Sequence, residues 1–222
     1  MMTMSIQSDG VGATPTRSAM SQEARGNGRE RDYSGVRVLY LGRRSADVSA
    51  AVSAAVPGAE LTFVDAEPLH GLSVDGDAVV VMDGSHDPSD VPALLDAAGR
   101  RSVGMVVGSR SVSGGRDGSS LARRVGTRVA NLMIRHVVDL PVHDVTSSFR
   151  VYSGDAWRSI GGVSVLRDGV LPALIASAHA VHHQRWVIAE VPVSTLPSST
   201  RTLSDVASAA GTVATLARRR RA

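Results

Sequence analysis

The chain has 222 residues, no cysteine, 43% hydrophobic and 20% charged residues and a net charge of +3, a composition that fits one globular domain with a tail. The absence of cysteine excludes a disulfide scaffold, a thiolate metal site and a cysteine nucleophile. All 24 basic residues are arginine, whose planar guanidinium pairs with phosphate and carboxylate; a phosphorylated ligand or an anionic surface is therefore the first suspect, beside a GC-rich coding bias that would enrich arginine without function. Only 3% of residues are aromatic, which argues against a base-stacking nucleic-acid surface.

Residues 1–34 are polar and without periodicity, and read as a disordered tail. The folded domain is expected over 35–203, followed by a helix with a basic end over 204–222. Residues 36–41 (VRVLYL) form an apolar strand, and alanines and valines at helical spacing predict a helix over 45–56, stopped by Pro57 and Gly58. Residues 61–65 and 77–83 are the next strands and end in Asp65 and Asp83. A helix follows over 88–99, with Asp87 as N-cap and Gly99 as its stop. Residues 103–108 are the fourth strand, running into Gly108-Ser109-Arg110. Apolar strands alternating with helices are the pattern of a mostly parallel sheet flanked by helices. Ligands of such sheets bind beyond the carboxyl ends of the strands. The two aspartates and Arg110 stand there, although Asp at a strand end is also ordinary turn chemistry.

Residues 121–138 predict an amphipathic helix. Arg123, Thr127 and Asn131 share one stripe, and Val125, Val129, Leu132, Met133 and His136 form its apolar side. The stripe suits a phosphate, or else is a solvated helix face. His182 and His183 point to different faces and do not pair as zinc ligands; Trp186 reads as core packing. No apolar run reaches the length of a membrane span, and no basic-then-apolar leader opens the chain, so a cytoplasmic location is expected.

Five blocks stand in order: DGSHDP at Asp83, GSRSVSGG at Gly108, the helix from Arg123 to Asn131, DVTSSFR at Asp144 and EVPV at Glu190. Together they resemble glycosyltransferase family 2, in its dolichol-phosphate mannosyltransferase or polyprenyl-phosphate glycosyltransferase branch. The resemblance implies a GT-A-like nucleotide-diphosphosugar transferase fold, here in reduced form. It also implies transfer of a sugar from a nucleotide donor to a polyprenyl phosphate, with Mg or Mn. By the same carry-over Asp83, Arg110 and Asp144 are catalytic, and Asp65 and Asp83 meet the nucleotide. Arg110, Arg123, Thr127, Arg150 and Arg201 hold the acceptor phosphate, and Asp83 with Asp87 hold the metal. The chain departs from the family pattern on the donor side. DGSH stands where Asp-Ala-Asp is expected, and residues 66–76 are too short for the helix, strand and helix that the family carries there. A non-catalytic binder of a phosphorylated ligand or of a partner enzyme is therefore the alternative. Arg218, Arg219, Arg220 and Arg221 could draw the chain to an anionic leaflet at the inner face of a membrane.

Overall fold

The computed structural model describes residues 31–64, 74–162 and 170–195, together with 211, 213–216 and 218. Most of the expected tail, Asp65, Arg201, Arg219 to Arg221, the side chain of Arg123 and most of the C-terminal helix lie outside the described residues. In chain order the elements are β1 (Val36–Leu41), α1 (Ala46–Ala55), β2 (Glu60–Val64) and β3 (Ala78–Asp83). A 3-10 turn (Pro88–Asp90) leads into α2 (Val91–Ala98), then β4 (Val103–Ser109), β5 (Arg116–Asp117) and α3 (Leu121–Val138). β6 (Arg150–Ser153), α4 (Gly154–Ser159), α5 (Val170–His183), β7 (Val187–Pro192) and β8 (Ser194–Thr195) complete the order.

The strands and helices expected up to residue 138 are present, with small shifts at their ends. Ser45 caps α1 by accepting from the Val48 amide. Asp87 caps as expected, but the helix it opens is the 3-10 turn, because its carboxylate accepts from the Ser89 amide. α3 ends at Asp139, which adopts the left-handed conformation with φ 57°, a region that Asp and Asn enter more readily than other residues with a Cβ.

Six strands form the main sheet in the order β2-β1-β3-β6-β4-β7. All pair in parallel except β6, which runs antiparallel between β3 and β4. From the DVTSSFR block the chain enters the sheet at its centre as β6, a strand that the sequence reading does not include. Side chains alternate between the two faces, as a pleated strand requires. Val38, Tyr40, Val80, Met82, Val106 and Val151 pack with α1 and α2 on one face. Leu39, Val79, Val81, Met105 and Val107 pack with Trp157, α5 and the inner side of α3 on the other.

At β4 the approach of β7 leaves no room for a side chain. A Cβ on Gly104 would lie 2.5 Å from the Cβ of Trp186, whereas one on Gly126 of α3 would meet nothing within 4 Å. Gly104→Ala is therefore expected to cost about 1–3 kcal/mol through overpacking. Gly126→Ala should stabilise by up to about 1 kcal/mol, because alanine is the better helix former. Urea denaturation of the two variants, compared with the unmodified chain, checks both signs.

Candidate functional site

The site begins where β4 ends. Arg110 folds back onto the Asp144 carboxylate, its Nε donating to Oδ2 at 2.7 Å and its Nη2 to Oδ1 at 2.7 Å. The Arg110 amide donates to the same Oδ2 at 3.1 Å, and Nη2 also donates to Thr146 Oγ1 at 3.1 Å. The Asp144 side chain is 0% exposed. Burial alone would raise its pKa; the Arg110 hydrogen bonds and charge, with the Asn131 amide, outweigh that and hold the carboxyl below its usual range.

Asn131 fixes α3 to this pair. Its Nδ2 donates to Asp144 Oδ1 at 3.2 Å and its Oδ1 accepts from the Thr146 amide at 3.1 Å. Glu190 on β7 secures the other side, accepting the amides of His143 at 2.9 Å and Asp144 at 3.1 Å. Four of the five sequence blocks thus meet around one carboxylate.

Beside the pair lies a cavity of about 330 Å³, lined by Arg110, Ser111, Gly115, Arg116, Asp117, Arg124, Thr127 and Arg128. Gly115 is required by close approach, since a Cβ there would lie 2.5 Å from the Ser109 carbonyl oxygen. The Arg124 Nε is buried with no hydrogen-bond partner among the described residues, a donor that an anion in the cavity would satisfy. Of the acceptor-phosphate residues expected from sequence, Arg110 and Thr127 reach this cavity. Arg116, Arg124 and Arg128 were not anticipated. The signal was available: Arg124 and Arg128 are four apart, a helical neighbour spacing, one position displaced from the Arg123, Thr127 and Asn131 stripe.

Arg150 is not brought to the cavity. Its side chain is 0% exposed and donates to the carbonyls of Ser147 at 2.9 Å, Leu174 and Val145, and to Ser177 Oγ at 3.2 Å. A fully buried guanidinium must spend its donors on local acceptors, and Arg150 thereby ties the DVTSSFR turn to α5.

Asp83, at the end of β3, forms a separate cluster. Its Oδ1 accepts from the amide and hydroxyl of Ser85, its Oδ2 from Ser148 Oγ, and His86 Nε2 is 3.7 Å from Oδ1. Burial acts to raise its pKa, but the His86 charge and these hydrogen bonds leave it lowered. His86 is itself buried, its ring 4.9 Å from that of Phe149. Asp87 is turned onto the Ser89 amide at 2.9 Å. Among the described residues no group of three or more His, Asp or Glu side chains could hold a metal ion.

No family model matches the chain. It is 36% identical over 93 residues to an undecaprenyl-phosphate mannosyltransferase of Micrococcus luteus, a match covering 40% of this chain and 37% of that one. It is 30% identical over 113 residues to a polyprenol monophosphomannose synthase of Mycolicibacterium smegmatis, covering 50% and 42%. The chain thus spans about two fifths of the length of these relatives. Among solved structures it resembles glucosyl-3-phosphoglycerate synthase of Mycobacterium tuberculosis in complex with Mn2+, UDP and phosphoglyceric acid, with a TM-score of 0.57, 15% identity and coverage of 92% and 84%. The complex of that enzyme with UDP alone matches with a TM-score of 0.54, 16% identity and coverage of 94% and 87%. The sequence matches bear out the resemblance read from the five blocks, and the structural matches bear out the nucleotide-diphosphosugar transferase fold.

Because the folded pKa of Asp144 is depressed, its contribution to stability is present above the ordinary carboxylate range near 4 and is lost as pH falls through the folded value. Asp144→Asn is expected to cost about 3–5 kcal/mol at pH 7, since it leaves the Arg110 charge uncompensated. It should also flatten the acid limb of stability against pH, measured as the urea midpoint from pH 7 downward.

Proposed function

We propose that the chain is a glycosyltransferase-like protein that moves a sugar from a nucleotide-sugar donor to a polyprenyl phosphate or a related phosphorylated acceptor. The observation that carries this is the cationic cavity held in place by the Arg110–Asp144 pair at the carboxyl edge of the sheet. In this reading Arg110, Arg124, Arg128 and Thr127 bind the acceptor phosphate. An oxygen of that phosphate attacks the anomeric carbon, a new C–O bond forms, and the bond to the nucleoside diphosphate breaks with its electron pair. The attacking oxygen is already anionic, so no general base is needed. The residues supply position and charge neutralisation.

One of the solved structures of similar fold holds Mn2+ and UDP, and Mg or Mn is the cofactor that turnover by this chain would use. Asp83 and Asp87 are the residues that would hold such an ion; each already accepts hydrogen bonds from neighbouring serines, and among the described residues no third His, Asp or Glu joins them in a metal-holding group. That observation favours a second reading, a non-catalytic protein that binds the phosphorylated ligand or a partner enzyme. A lipid phosphate acceptor places the chain beside a membrane, at its inner face. The basic end is the sequence's candidate for that contact; of it, Arg218 is described, exposed and donating to the Ala214 carbonyl at 3.3 Å. Among the described residues no helix is long and apolar enough to cross a membrane.

Incubation with GDP- and UDP-sugars, Mg or Mn and a short polyprenyl phosphate is expected to release nucleoside diphosphate. No release across the panel, with thermal stabilisation by polyprenyl phosphate alone, selects the second reading. In either case Arg124→Ala should weaken polyprenyl phosphate binding by about tenfold or more, the loss expected for one charge-assisted contact. Unchanged affinity would remove the cavity from the proposal.

A further inference from the structure

The side of α3 that sequence periodicity marks as apolar faces away from the protein. Thr127, Asn131, Ile134 and Val138 turn toward the domain, whereas Leu121, Val125, Val129, Leu132, Met133 and Val137 lie on the solvent side. Leu132 is 65% and Met133 63% exposed. Single exposed apolar residues are ordinary, but a continuous stripe along an 18-residue helix marks an interaction surface.

The charges on the helix indicate the kind of surface it meets. α3 contains Arg123, Arg124, Arg128 and Arg135, with His136, and no acidic residue. Arg128 is exposed, and Arg124 and Arg135 are partly exposed, on the border between the buried side and the apolar stripe. A basic helix with an exposed apolar side is the pattern of a segment lying in the plane of an anionic bilayer, its apolar side sunk about 5–10 Å toward the acyl chains and its arginines at headgroup level. A second copy fits poorly, since a two-fold contact through this stripe would bring the arginines of two α3 helices together. The same helix supplies Arg124, Thr127 and Arg128 to the cavity, so a bilayer under α3 would lie beside the proposed phosphate site.

We infer that the outward side of α3 is a docking surface for an anionic lipid bilayer, and that this helix rather than the arginine tail carries the membrane contact. The inference does not depend on sugar transfer, and its test contains neither nucleotide sugar nor polyprenyl phosphate. The full chain is floated with vesicles of phosphatidylcholine and phosphatidylglycerol, and with phosphatidylcholine alone. Binding is expected to the anionic vesicles. The double variant Val125→Glu, Leu132→Glu should reduce it by about tenfold or more, as two apolar side chains are lost from the contact, whereas removal of residues 218–222 should leave most of it. A Leu132→Trp variant gives a readout that needs no loss of binding: its emission should shift to the blue and be quenched by brominated lipid. Failure of the unmodified chain to float, loss of binding only on truncation, absence of quenching in the tryptophan variant, or a dimer that the double variant dissociates would each overturn the inference.

Discussion

The geometry of the site depends on one buried ion pair. Asp144 has no access to solvent, and a carboxylate in that position is tolerable only with its charge matched and its lone pairs taken. Arg110 matches the charge, and Asn131, Thr146 and the Arg110 amide complete the acceptor's bonds. Because these partners come from β4, α3 and the turn before β6, the electrostatic requirement of one side chain sets the relative positions of three elements. Glu190 extends the arrangement to β7 through the two amides it accepts. The open cavity is a consequence: with Arg110 held from behind, α3 presents a row of further arginines across from it.

The two carboxylates of the region have different tasks. Asp144 is sealed and organises the cationic side. Asp83 keeps partial exposure, 20% of its side chain, yet its oxygens are occupied by Ser85 and Ser148. The connection from β2 to β3, where the family resemblance leads one to expect further donor-binding structure, is short in this chain. The arginine-lined region therefore has a built cavity, whereas at the end of β3 the described residues offer one carboxylate that accepts hydrogen bonds from Ser85 and Ser148.

Much of this was legible in the residues. Uninterrupted apolar runs located the strands, and α3 came out at its sequence bounds because eighteen residues of strong periodicity leave few alternatives. The orientation of α3 was not legible, since periodicity identifies two sides without saying which faces inward. Asn131 settles that by binding Asp144, a partner thirteen residues away. β6 was missed because Arg150-Val151-Tyr152-Ser153 is too short for an alternating pattern to show. Arg150 looked like a phosphate ligand by family position and is instead a buried tie. Of the cavity arginines, 124 and 128 were legible as an i, i+4 pair on α3, whereas their approach to Arg116 of β5 shows only in the fold.

The antiparallel course of β6 has a consequence for how the protein folds. A strand that runs against its neighbours begins where they end, so the turn leading into β6 touches both β3 and β4 at their carboxyl termini: Ser148 reaches Asp83 across 65 residues of chain, and Asp144 reaches Arg110 across 34. Contacts of such separation close only after the loops between them have been ordered, which makes them late and slow events in folding. The cavity walls themselves lie between residues 110 and 128, but Arg110 is held in its place among them by Asp144 of the turn before β6. An anion that needs Arg110 in that position would bind the folded state in preference to the unfolded chain and by mass action stabilise it.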